Sequence, residues 1–413
     1  MTLTPTSATR RFLLVTALRW LPVGLVIPVT VLLPLDRGLS LTQVGTVAAL
    51  QGAVVLALEL PTGGLADSLG RRRVLLLAAL VGAAALTVLL TAETVTAFAV
   101  VWALQGVHRA LDSGPLEAWY VDAVQAGDPA APIERGLSAQ GTVLGLSIAG
   151  GALAGGGLVA WDPLPGVEAL AVPVVAALAV QVLTVVGITL ALVEEPRGRV
   201  WRSLATTPRA VVDGVRLLRG SAVLMALVAV ELTWGFGLAA LESLTPVRLA
   251  EVIGDTEAAA AVTGPATSAA WLASAAGAAL LPALARRTGL APAAALLRIL
   301  QGLAVVGIGL VGGVAGIITA YLVAYVAHGA SNPAHMTLLH QQVGPGHRAT
   351  VVSLNSMAAQ PAGAVGILVL TAVADGTSLS LAMAIAGAAL LLGAPLYLPA
   401  WRQSRTPRQT ARA

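Results

Sequence analysis

Apolar residues run along this chain in blocks of about 20 to 25, most of them closed by charges, glycine, proline or a short polar loop. A block of that length crosses the ~30 Å hydrocarbon core of a bilayer as one helix. Breaking the sequence at the interruptions predicts twelve transmembrane helices, at roughly 12–34, 42–62, 74–91, 95–121, 137–160, 169–193, 222–246, 258–284, 293–311, 315–339, 351–373 and 379–400. A polar stretch from Glu194 to Ser221 divides them six and six. The expected architecture is an all-α membrane protein of two pseudo-symmetric six-helix bundles. Residues 1–193 form the first, 194–221 a cytoplasmic central linker, and 222–413 the second with a short cytoplasmic tail.

Composition narrows the function. The chain is 57% hydrophobic and 11% charged, against roughly 25% charged in a soluble domain, which excludes a soluble enzyme, a disordered tail and a nucleic-acid partner. All 24 basic residues are arginine and the net charge is only +4, so the position of the arginines matters more than their number. Nineteen fall in tails and loops on one side of the predicted spans, against Arg37 and Arg248 on the other, with Arg19, Arg109 and Arg298 inside spans. The positive-inside bias makes the arginine-rich side cytoplasmic and places both termini there. Thr9-Arg10-Arg11-Phe12 has the outline of a twin-arginine export signal, but the apolar run continues to Leu33, too long for a signal core, and is read as a first span. With no cysteine, disulfides, thiolate nucleophiles and Cys-ligated metals are excluded.

The halves repeat. Leu65-Ala66-Asp67-Ser68-Leu69-Gly70 returns as Leu284-Ala285-Arg286-Arg287-Thr288-Gly289 at an offset of 219, Ser113-Gly114-Pro115 as Ser331-Asn332-Pro333 at 218, and Pro34 as Pro246 at 212. Single matches are cheap in such a chain, whereas agreement in order and offset points to a duplicated six-helix unit. The first of these segments continues into Arg71-Arg72-Arg73. Its glycines permit tight turns and Asp67 can accept from neighbouring arginines, an arrangement suited to an electrostatic latch. The bland alternative is a solvated basic loop that only sets topology.

The full pattern, Gly63, Asp67, Gly70, Arg71 and Arg72 at G-x-x-x-D-x-x-G-R-R spacing, resembles the signature loop of the major facilitator superfamily. Together with the six-plus-six spans, the likeness covers essentially the whole chain. It implies transport by alternating access, with the latch holding the halves together on the cytoplasmic side when the cavity faces out. The lead-in Glu59-Leu60-Pro61-Thr62-Gly63 resembles bacterial multidrug and macrolide efflux members. Two further motifs are degraded: Trp102 stands where the span-4 motif has an arginine, and Ala152 replaces the proline of the antiporter motif in Gly151-Ala152-Leu153-Ala154-Gly155-Gly156. Small residues at that spacing read first as helix packing.

A charge inside a span costs roughly 2.5 to 3.5 kcal/mol, so it faces a wet cavity or a partner. Here Arg19, Glu59, Arg109, Asp112, Glu117, Glu231 and Glu242 concentrate in spans 1, 2, 4 and 7. In the family resembled, spans 3, 6, 9 and 12 are peripheral, which makes Arg298 in span 9 the exception. Arg19 and Glu231 stand at equivalent places in the repeat, offset 212, and are the candidates for proton coupling, Glu231 alternating between an ion pair with Arg19 and a protonated, neutral state, with Asp112, Arg109, Glu59 and Glu242 lining the central cavity. A local Arg109–Asp112 pair, or Arg19 neutralised within its own half by Asp112 or Glu117, are the competing arrangements. Trp20, Trp234 and His335 are candidates for the substrate cavity, by stacking and by a neutral-range imidazole. His328 and His335 share a helix face but lack further ligands for a metal.

The reading is a secondary transporter exporting small amphipathic molecules or drugs. It draws on a proton gradient, needs no cofactor, and acts as a monomer in contact with lipid in a bacterial inner membrane. A proton-coupled importer of a sugar, amino acid or other metabolite is the nearest alternative. Intramembrane protease, metalloprotease and prenyl transferase motifs are missing from the sequence. Orientation is directly testable: in single Ser203→Cys and Ser378→Cys variants, an impermeant thiol reagent added to intact cells is expected to label the second and spare the first. The reverse pattern overturns the arginine count.

Overall fold

The computed structural model describes residues 3–126, 130–193, 218, 220–344 and 348–405, and it is helical throughout. In chain order the helices are α1 (Pro5–Val26), α2 (Leu32–Asp36), α3 (Leu41–Leu69), α4 (Arg71–Thr91), α5 (Val95–Asp112), α6 (Pro115–Gln125), α7 (Glu134–Trp161), α8 (Val172–Ala191), α9 (Ala222–Ile253), α10 (Thr256–Thr288), α11 (Leu290–Leu310), α12 (Val314–His340), α13 (Arg348–Gly376), α14 (Leu379–Gly393) and α15 (Leu398–Arg405). The central linker expected over 194–221 lies almost wholly outside the described residues.

Ten of the described helical segments are long and apolar enough to cross a membrane. The exceptions have a common cause. α1 carries Arg10, Arg11 and Arg19, and the span expected over 95–121 is divided into α5 and α6 with Arg109 and Asp112 at the join. Charge has lowered the hydropathy at these positions. Elsewhere large apolar side chains stand outward, Leu190 at 75% and Leu310 at 69% exposed; such surface is tolerable only against lipid.

Local chemistry explains the boundaries. Thr4 caps α1 by accepting from the Ser7 N–H at 3.3 Å, and Pro22 near its other end cannot donate to the carbonyl of Leu18. The hydroxyl of Thr184 on α8 supplies the missing donor at 2.8 Å. After Val26 the chain turns before α2, so the expected single span over 12–34 is interrupted. The repeat is visible in the backbone: Gly70 between α3 and α4 has φ 92, ψ 143, and Gly289 between α10 and α11 has φ 87, ψ 156. Both positive values demand glycine. The other repeated motif diverges, because Gly114 adopts φ 93 and breaks α5 from α6, whereas α12 runs unbroken through Asn332 and Pro333.

Two compact units emerge, Met1–Thr207 with Leu249–Leu272, and Pro208–Arg248 with Ala273–Ala413. In the first, α1 lies against α7 and α8, α3 against α5, and α4 against α5 and α8. Its core includes Phe12, Leu75, Leu116, Trp119 and Tyr120, with Phe12 and Tyr120 stacked at 4.3 Å. Arg37 ties three loops together, donating to Glu168 at 2.7 Å and to the carbonyls of Leu89, Leu90 and Ala92 at the end of α4. In the second unit α11 packs on α12 and α14, around Leu227, Val230, Leu297, Ala330 and Leu338.

The glycine-rich stretch of α7 is a packing surface. A Cβ at Gly151 would meet Leu21 O at 2.6 Å and Leu25 N at 2.8 Å, and one at Gly155 would collide with Leu25 O, so α1 and α7 touch through their backbones. Gly156 meets Gly264 of α10 in the same way, which explains why Leu249–Leu272 joins the first unit although it lies far along the chain. By contrast nothing lies within 4 Å of a Cβ at Gly150. Gly151→Leu is therefore expected to destabilise the protein by about 1 to 3 kcal/mol or more, the cost of overpacking, while Gly150→Leu leaves thermal unfolding in detergent nearly unchanged. Equal effects would remove the packing argument.

Candidate functional site

In the first unit the focus is Arg19 on α1, whose side chain is 7% exposed. α5 ends at Asp112 because Ser113 and Gly114 leave helical geometry, so the Asp112 carbonyl has no continuing helix to receive it. One nitrogen of Arg19, Nη2, donates to that carbonyl at 2.7 Å and also to the Asp112 carboxylate. Charge and orphaned backbone are satisfied by one guanidinium. Arg19 Nε and Nη1 are buried and find no partner among the described residues. Arg109, one turn before Asp112, is exposed instead of neutralising it. Gln140 on α7 donates to Glu117 on α6.

In the loop expected to act as a latch, Arg71 begins α4 directly after Gly70 and reaches α6, where it pairs with Asp122 and donates to the Ala118 carbonyl. Arg72 donates to Thr189 O at 2.8 Å on α8. The side chains of Glu59 and Asp67 and the surroundings of Gly63 lie outside the described set. Trp20 is half-buried.

The second unit carries a longer polar and aromatic seam. Glu231, Trp234 and Glu242 share one face of α9, and Tyr321, Tyr325, His328 and His335 share one face of α12, each at helical spacing. Trp234 stacks on His328 with centroids 5.8 Å apart and planes within 13°, and Tyr325 meets His328 at 5.8 Å and Tyr321 at 4.8 Å. Glu242 is exposed, within electrostatic range of Tyr325.

Glu231 is the buried end of this seam. His335 Nε2 lies 3.3 Å from Glu231 Oε1 and 3.0 Å from Asn355 Oδ1 on α13, while its Nδ1 lies 3.0 Å from the Tyr397 hydroxyl in the turn after α14. Asn355 also interacts with the Glu231 carboxylate. Arg298 on α11, only 2% exposed, donates to Gln301 Oε1 at 2.9 Å and faces the Tyr397 hydroxyl, its charge acting on Glu231 and His335. The cluster thus gathers Arg298, the Glu231 carboxylate and four further polar side chains, His335, Asn355, Tyr397 and Gln301, away from lipid. Sequence reading found Glu231, His335 and Arg298 separately; Asn355 and Tyr397 gave no signal, since one amide and one phenol in apolar helices match no spacing rule. Arg19 and Glu231 each find a partner inside their own unit.

The sequence matches the family model for the Major Facilitator Superfamily over residues 12–367. In structure the chain is similar to the nucleoside transporter NupG, with TM-score 0.76 at 13% identity over 96% of this chain and 99% of that one. A bacterial homologue of the human lysosomal transporter Spinster, inward-facing and unoccupied, gives 0.75 at 16% over 96% and 97%. A mutant of the peptide transporter POT gives 0.72 at 14% over 98% and 99%. No curated protein matches the sequence. Ten apolar helices of membrane length and the family match define a multi-pass membrane transporter. The chain belongs to the major facilitator superfamily, and its all-α architecture is that of the family.

The Arg19–Asp112 contact yields a stability test. Removing one partner of a buried pair strands the other charge, at a cost of about 3 to 5 kcal/mol. Asp112→Ala and Arg19→Ala are each expected to lower unfolding free energy by that order in mixed-detergent titrations, and the double variant by less than their sum. Simple additivity would show that the two residues do not interact.

Proposed function

We propose that this transporter is a proton-driven exporter of small amphipathic molecules, acting as a monomer in a bacterial inner membrane with both termini in the cytoplasm. The observation that carries the coupling is Glu231: a carboxylate buried at mid-helix among groups able to serve it charged or neutral. Arg298 balances the anion, while His335 and Asn355 keep hydrogen-bond partners for one another when Glu231 takes a proton. The outward direction rests on the likeness of Glu59–Gly63 to efflux members, and the Trp234–His328 stack suits a ring-bearing cargo. Arg19 and Asp112 serve as the matching charged pair of the first unit.

The test uses inside-out vesicles with an imposed, inside-acid gradient and ethidium as the probe. The wild-type protein is expected to accumulate the dye. Glu231→Gln is expected to lose uphill movement while retaining dye-for-dye exchange, because only the protonation cycle has been removed. Full uphill transport by that variant would sink the coupling role, and dye expulsion by the wild type would reverse the direction in favour of an importer.

A further inference from the structure

The hydrogen bonds around Glu231 can be assigned a single sense. His335 Nε2 faces two acceptors, Asn355 Oδ1 at 3.0 Å and Glu231 Oε1 at 3.3 Å, so Nε2 carries a hydrogen. Arg298 already balances Glu231, and a second cation in a cluster this buried would stand uncompensated. The imidazole is therefore neutral and Nδ1 is its acceptor, receiving the hydroxyl hydrogen of Tyr397 across 3.0 Å. Tyr397 is left with lone pairs, and the group facing them is Arg298, which can only donate. The Asn355 amide, its oxygen taken by His335, turns its NH2 to Glu231. Donation runs one way: Arg298 to Tyr397 to His335 to Glu231.

We propose that Arg298 and Tyr397 are positioning residues for proton exchange at Glu231, holding His335 as the Nε2–H tautomer so that the imidazole releases the carboxylate to Asn355 when Glu231 is protonated. This rests on the proton-coupled reading above. The step balances simply. A proton arriving from water adds to a Glu231 oxygen, the His335 Nε2–H then donates to Asn355 Oδ1 alone, and the return of that proton to water on the other side restores the shared bond. The groups acting on Glu231 are Arg298 from α11, His335 from α12, Asn355 from α13 and Tyr397 from the turn after α14. A change in its charge is thereby felt on four elements besides its own.

Nitrogen NMR of the full-length, histidine-labelled protein in lipid nanodiscs reads the tautomer directly, with the His335 signals assigned by their loss in His335→Gln. At about pH 8.5, where an ordinary imidazole is neutral, wild-type His335 is expected to be protonated at Nε2 and bare at Nδ1, and Tyr397→Phe to shift the Nδ1 signal by removing the hydrogen bond that nitrogen accepts. In the vesicles, Tyr397→Phe and Arg298→Gln are expected to slow uphill ethidium movement about tenfold, the scale of one lost hydrogen bond, with exchange unchanged, and Arg298→Lys to restore most of it. A wild-type imidazole protonated at Nδ1, or an Nδ1 signal unmoved by Tyr397→Phe, overturns the inference. The tautomer result stands whatever Glu231→Gln does to transport, which separates its failure from failure of proton coupling.

Discussion

The bilayer core offers no water to a polar group, and each donor, acceptor or charge placed there must be met from within the protein. That requirement organises the structure at two scales. For the backbone it selects helices, and wherever a helix is interrupted a side chain answers: Thr184 for the Leu18 carbonyl beside Pro22, Arg19 for the Asp112 carbonyl before Gly114, Arg37 for the end of α4. For side chains it gathers charges into neutral sets, Arg19 with Asp112 in one unit and Arg298 with Glu231 in the other. Leucine and valine supply most of the large apolar side chains that stand outward.

Hydropathy made the fold class legible, because blocks of membrane length have few other uses. The interruptions were partly legible as well. Gly114-Pro115 marks the break between α5 and α6, but the repeat suggests the same at Asn332-Pro333, where the helix continues. The difference is glycine: a positive φ costs it nothing and costs asparagine something. The arginine count bears on orientation, while the branching of Leu249–Leu272 into the first unit is a three-dimensional fact, set by Gly156 meeting Gly264 across a long stretch of chain.

The candidate site was legible one residue at a time. An intramembrane charge declares itself, which is how Arg19, Glu231 and Arg298 stood out, but a pairing depends on rotation about helix axes that sequence spacing does not fix. Of the partners weighed for Arg19 inside its own half, Asp112 and Glu117, the structure supplies Asp112 at the next break in the backbone, and Glu231 meets an imidazole on α12. The least visible members, Asn355 and Tyr397, are uncharged, and uncharged polar residues are too common in helices to signal a role.

The junctions at Gly70 and Gly289 leave one residue between consecutive long helices. With no slack in the connection, an inserted residue would turn the following helix by about 100°, swinging Arg71 from Asp122 and Arg72 from Thr189. These two positions are fixed in length as well as in identity. Variation in chain length among descendants of this fold has to be absorbed at other loops, and the two glycines serve as the rulers against which both halves keep their angular register.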